Sequence, residues 1–203
     1  MNQPRKYSDD AGQAFPIYIT VVAGLLFLAF AYLAVGQAAA TRNGAQTAAD
    51  AAALAAAQDS RDQLAGMWVK AVLDPTKWQD IFDGNVPGLE RSCWRAPQLA
   101  TQNGAHVEQC AATPAGPLGY TVAVKTDKPV GDSIVPGTEN QYAKASATAV
   151  IEPLCTFELP TEGAGTDVLP QLACKDNRKW DLNPDDPAGL PGPEDLFDVH
   201  LAD

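Results

Sequence analysis

Cations are scarce in this sequence: 14 Lys and Arg stand against 25 Asp and Glu, for a net charge of −11. Nucleic-acid binding needs clustered cations to neutralise phosphates, so this balance argues against it. It also argues against docking on anionic headgroups, except near the N-terminus, where Arg5 and Lys6 stand. Aromatics make up only 7% of the residues, while the apolar share is 46% and leans on alanine. Alanine buries little area, which implies a modest core for the length. Motifs of catalysis are absent too. There is no G-x-x-x-x-G-K-[ST], so ATP hydrolysis is not expected, and no G-x-S-x-G or H-E-x-x-H. A Ser92, His106 and aspartate set can be drawn on paper, but with one histidine in the folded region chance explains it. The four cysteines contain no C-x-x-C pair of the kind zinc prefers. Asp181, Asp185 and Asp186 lack the alternating spacing of a calcium loop. The reading is a non-enzyme with no cofactor and no metal.

One further absence is informative. Residues 11–41 contain no charge, and the densest part, residues 14–36, reads AFPIYITVVAGLLFLAFAYLAVG. As a helix it would span about 34 Å, enough to cross the hydrocarbon core with some tilt. Pro16 falls in the first turn, where a missing N–H costs least. Tyr18 and Tyr32 lie toward the two ends, as interfacial aromatics do. Arg5 and Lys6 precede the span. By the positive-inside rule they keep a head of residues 1–13 in the cytoplasm and send the rest across the membrane. Ala38-Ala39-Ala40 would satisfy a signal-peptidase site, but the apolar stretch exceeds the usual ~7–15 residues of a signal core.

From residue 37 to residue 74 the sequence turns alanine-rich, with no proline before Pro75, and predicts that the helix continues as a stem to about Leu73. Asn43-Gly44 is its weak point. Gly36, Ala40, Gly44, Ala48, Ala52 and Ala56 recur at every fourth position, a small-residue stripe that would let another helix approach closely. Farther on, Leu64, Trp68 and Val72 give a bulky apolar face.

Gly12-Gln13-Ala14, the apolar span, and then the stretch AADAAALAAA at residues 48–57 together resemble the N-terminal module of TadE/TadG-like (Flp/Tad-type) pilus assembly proteins. The resemblance covers about residues 12–57. It implies a membrane-anchored, pilin-like or accessory protein, a fold of the pilin kind, and partners among other Tad pilin-like proteins and inner-membrane platform proteins. It also marks Gly12 and Gln13 as a possible processing site. Family members cut there carry a glutamate five residues after the scission point, whereas this chain has Ile17. The resemblance therefore leans to the uncleaved, TadG-like side.

Residues 75–159 read as a small α+β domain. Residues 76–92 suggest a helical turn and a loop, and residues 96–103 a short helix stopped at Gly104. Three strands follow, at residues 106–110, 119–126 and 142–152. The second puts Tyr120, Val122 and Val124 on one face; the third puts Ala145, Ala147, Ala149 and Ile151 there. A three-stranded antiparallel sheet over the stem is expected. Cys93, Cys110, Cys155 and Cys174 all lie on the outer side, where an oxidising compartment favours two disulfides. Of three connectivities, the sequential pairs Cys93–Cys110 and Cys155–Cys174 are favoured. Residues 160–203, rich in Pro and Asp, read as a partly disordered solvated tail. Alternatively, Trp180, Leu196, Phe197, Val199 and Leu201 would anchor it on a partner. The functional expectation is a non-catalytic Tad-system component held in the lipid bilayer, with the stem as a route to a homo-oligomer. The alternative is an exported ligand-binding module, tethered or released.

Overall fold

The computed structural model describes residues 14–114, 116–129, 131, 140–159, 169–183, 185–186 and 189–202. The head with Arg5 and Lys6 and the Gly12–Gln13 junction lie outside the described residues.

A single helix, α1 (Ala14–Lys70), runs for 57 residues, about 85 Å at the α-helical rise. Alanine and straight-chain residues favour it beyond residue 36. Pro16 lies in its first turn, and the helix runs unbroken through Asn43-Gly44. It closes near Pro75, which opens a 3₁₀ turn (Pro75–Lys77) leading into α2 (Trp78–Phe82). A second 3₁₀ turn (Ser92–Trp94) leads to α3 (Ala96–Gln102).

Then comes the sheet: β1 (Ala105–Ala112), β2 (Gly119–Thr126) and β3 (Lys144–Pro153). The alternation expected on β2 and β3 is present. Tyr120, Val122, Val124, Ala147, Ala149 and Ile151 are all buried, facing α1. The mixed class is as the sequence reads, one long apolar helix followed by helices and an antiparallel sheet. The sheet itself is larger than expected. It has four strands in the order β1-β2-β3-β7, the last being β7 (Phe197–Leu201), supplied by the C-terminal segment. β7 pairs antiparallel with β3, Ile151 opposite Val199 and Pro153 opposite Phe197.

That pairing corrects the reading of the tail. Leu196, at the end of α4 (Pro193–Leu196), and Phe197 are buried in the chain's own core. They do not wait for a partner. β4 (Cys155–Thr156), β5 (Leu172–Cys174) and β6 (Lys179–Trp180) form a second, three-stranded sheet that places Trp180 half-buried. The physical reason is area: an alanine-rich core needs the few bulky side chains the tail carries. They complete an aromatic cluster at the far end of α1. Trp68 meets Trp78 at 5.4 Å between ring centroids, Trp78 meets Phe157 at 5.2 Å, and Phe82 meets Phe197 at 5.5 Å.

Candidate functional site

The two halves of α1 face different surroundings. Among the described residues α1 is the one helix long and apolar enough to cross a membrane. Phe15, Leu25, Phe27, Leu28 and Tyr32 are each more than 60% exposed, so no described part of the fold covers them. Charge is absent there, and Thr20 returns its hydroxyl to the Pro16 carbonyl at 2.7 Å, so that its polar group is satisfied within the helix. In lipid that is a requirement.

From Ala45 onward the same helix is core. Ala48, Ala49, Ala52, Ala53, Ala56 and Ala57 have no exposed surface. They lie under β2 and β3, where short side chains allow the sheet to sit close to the helix backbone. The small-residue stripe is thereby split. Ala48, Ala52 and Ala56 are taken up by the chain's own fold, while Gly36, Ala40 and Gly44 stay exposed.

The same row continues through Ser60, Leu64, Trp68 and Val72, all buried. Ser60 is the polar member. Its hydroxyl lies 2.8 Å from the Ser92 hydroxyl and 2.7 Å from the Tyr120 hydroxyl. The Ser92 backbone N–H donates to the Tyr120 oxygen at 3.1 Å. Gln63 adds a bond to Ser92 Oγ, and its Oε1 accepts from the Glu90 N–H. Helix, loop and β2 are thus pinned at one buried point, which pattern reading missed. The available signal was a serine on an otherwise apolar i, i+4 row.

Both sulfur pairs are sequential. Cys93 is bonded to Cys110, with 5.8 Å between Cα atoms, and ties the Ser92–Trp94 turn to β1. Cys155 is bonded to Cys174, its direct cross-strand partner in the β4–β5 pair. Ser92 and His106 do not share a hydrogen bond: Ser92 is held as above, and His106 pairs with Asp127 on an exposed surface. Asp181 accepts from Gln171, and no group of metal-ligating side chains occurs among the described residues. Where pKa values move, they belong to surface pairs. The Lys144 ammonium holds the Glu108 carboxyl below its ordinary range, and Lys77 with Thr76 does the same for Asp74.

Against this geometry the comparisons are specific. Residues 12–59 match the family described as "Putative Flp pilus-assembly TadE/G-like". No curated protein and no solved structure matches the chain. The match spans the uncovered apolar half of α1 and the alanine face beneath the sheet, and it supports a component of the Tad system.

Proposed function

We propose that this protein is a non-catalytic, membrane-anchored component of a Tad-type pilus assembly system, of the uncleaved, TadG-like kind. The observation that carries it is the continuity of α1. One unbroken helix passes from an apolar stretch that nothing covers into the centre of a packed domain, with residues 12–59 matching the family. Such a helix transmits the position of the anchor rigidly to the domain. The orientation follows from Arg5 and Lys6: head in the cytoplasm, domain outside the bacterial inner membrane. Two disulfides fit an oxidising compartment on that side. Partners are the bilayer, other Tad pilin-like proteins and the inner-membrane platform. The exposed small residues Gly36, Ala40 and Gly44 are the part of the stem open to a neighbouring helix.

The test is the intact mass and N-terminal sequence of the protein from isolated membranes, with thiol labelling before and after reduction. The expected result is a full-length chain, extractable only with detergent, with no free thiol before reduction. A chain beginning at Gln13 would show prepilin-type processing and replace the TadG-like role with a filament subunit. A chain beginning near Thr41 would sink the anchor and leave the released binding module.

A further inference from the structure

We propose that the domain binds a second copy of itself edge to edge, the turn bearing Arg91, Trp94 and Arg95 of one copy docking on the acidic β7 edge of the next. Trp94 is 62% exposed, and the Arg95 guanidinium stands 5.6 Å from its ring centroid. Arg91 is exposed beside them. This knuckle is not a loose loop. Ser92 is buried and bonded to Ser60 and Tyr120, and Cys93 is tied to Cys110. A tryptophan held rigidly in water loses little freedom on docking, and Trp and Arg dominate binding hot spots.

Charge selects the occupant. Residues 90–128 carry four Lys and Arg against three Asp and Glu, a slight basic excess in an acidic chain. Residues 193–201, which form α4 and β7, carry no Lys or Arg against three Asp and Glu. The strand order sets these segments at opposite edges, with β1 beside the knuckle and β7 beside α4. On the β7 edge, Asp198 sits directly opposite Glu152 in register, a like-charge pair in which Asp198 also meets the His200 ring at 3.0 Å. Lys175 reaches Glu152 only at 3.6 Å, and Glu194 adds an exposed carboxylate on α4. Arginines from a neighbour would relieve that crowding.

Arg95 lines a groove with Leu54 and Asp62 on one side of the helix, and Leu201, at the other end of β7 from Phe197, lines one with Gln46 and Asp50 on a different side. The two patches differ, so the contact is heterologous and can propagate. That two copies stand side by side in one membrane rests on the anchored reading above.

The experiment is energy transfer between donor- and acceptor-labelled full-length chains in neutral-lipid vesicles at low and raised salt. Wild-type transfer is expected at low salt and is expected to fall as salt rises. Arg91→Glu with Arg95→Glu, and separately Glu194→Lys with Asp198→Lys, each weaken association by roughly 10-fold or more. Trp94→Ala does likewise. Mixing the two charge-reversed variants restores transfer, because each reversed edge then meets a reversed edge, and recovery also shows that both variants are folded. Unchanged transfer in both variants, loss without recovery on mixing, or a monomeric wild type at low salt overturns the proposal. If Gly36→Leu with Ala40→Leu abolishes transfer while the charge variants keep it, the contact belongs to the stem; the edge proposal fails and the anchored reading stands.

Discussion

Ser60 shows how much one hydroxyl can organise. It sits with no exposed surface between Ala56 and Leu64 on the row of α1 that faces the sheet, and joins two partners 32 and 60 residues away. Ser60→Ala leaves the Tyr120 and Ser92 hydroxyls short of a bond in a dry setting, and Tyr120→Phe takes one of Ser60's two partners and orphans the Ser92 N–H. Each is expected to cost about 1–3 kcal/mol, read by denaturant unfolding of the detergent-solubilised protein followed by tryptophan fluorescence. The double variant should cost clearly less than the sum, because both substitutions remove the same contact. Strict additivity would mean the hydroxyls do not act as a unit. The serine was visible as a polar break in an apolar row; its partners were not, since side-chain contacts across such separations leave no local pattern. Cysteines behave differently. Their even number and spacing favoured sequential pairs, and Cys155 with Cys174 closes a loop of 19 residues. Replacing both by alanine is expected to cost about 3 kcal/mol. The loss should fall on β4, β5 and β6, with faster hydrogen exchange there than in β2 and β3.

Within α1 the same small residues do two jobs, and substitution separates them. Beneath the sheet, Ala52 is fully buried, so Ala52→Leu must push β2 and β3 away from the helix. Overpacking of this kind costs about 1–3 kcal/mol and should lower the melting temperature of the domain. Outside the sheet, a Cβ built on Gly44 meets nothing within 4 Å. Gly44→Ala should therefore leave the domain intact and firm the helix by about 1 kcal/mol. Circular dichroism melts of the two variants check the contrast, and equal destabilisation by both would contradict the division of α1. The helix, its membrane-length half and the strands β2 and β3 were legible because each repeats one period over many residues. Which part of the alanine run would be covered was not legible. An alanine stripe suits a neighbouring helix and a close sheet equally, and only the tertiary fold decides between them.

At the scale of the whole molecule, the C-terminal segment decides whether the domain closes. Composition pointed to a solvated tail, because proline and aspartate dominate residues 181–195. The alternation Phe197, Asp198, Val199, His200, Leu201 is a strand signal, but five residues at the end of an acidic stretch are easily outweighed by what precedes them. Folding weighs them differently. Leu196 and Phe197 are among the few bulky side chains that an alanine-rich core can recruit, and Phe197 packs against Phe82 with the rings tilted. β7 also covers the edge of β3, whose backbone groups would otherwise be open to pairing with another chain. A chain ended at Gly192 is therefore expected to lose cooperative unfolding, to be cut rapidly by protease between β2 and β3, and to aggregate through the bared edge. Phe197→Ala, which keeps the strand but empties its anchor, should fold with a loss of about 3–5 kcal/mol. Limited proteolysis of both variants beside the full-length protein checks this. A truncated chain as resistant as the parent would return residues 193–202 to the status of a tail, and would leave the aromatic cluster at the far end of α1 without a structural role for its last member.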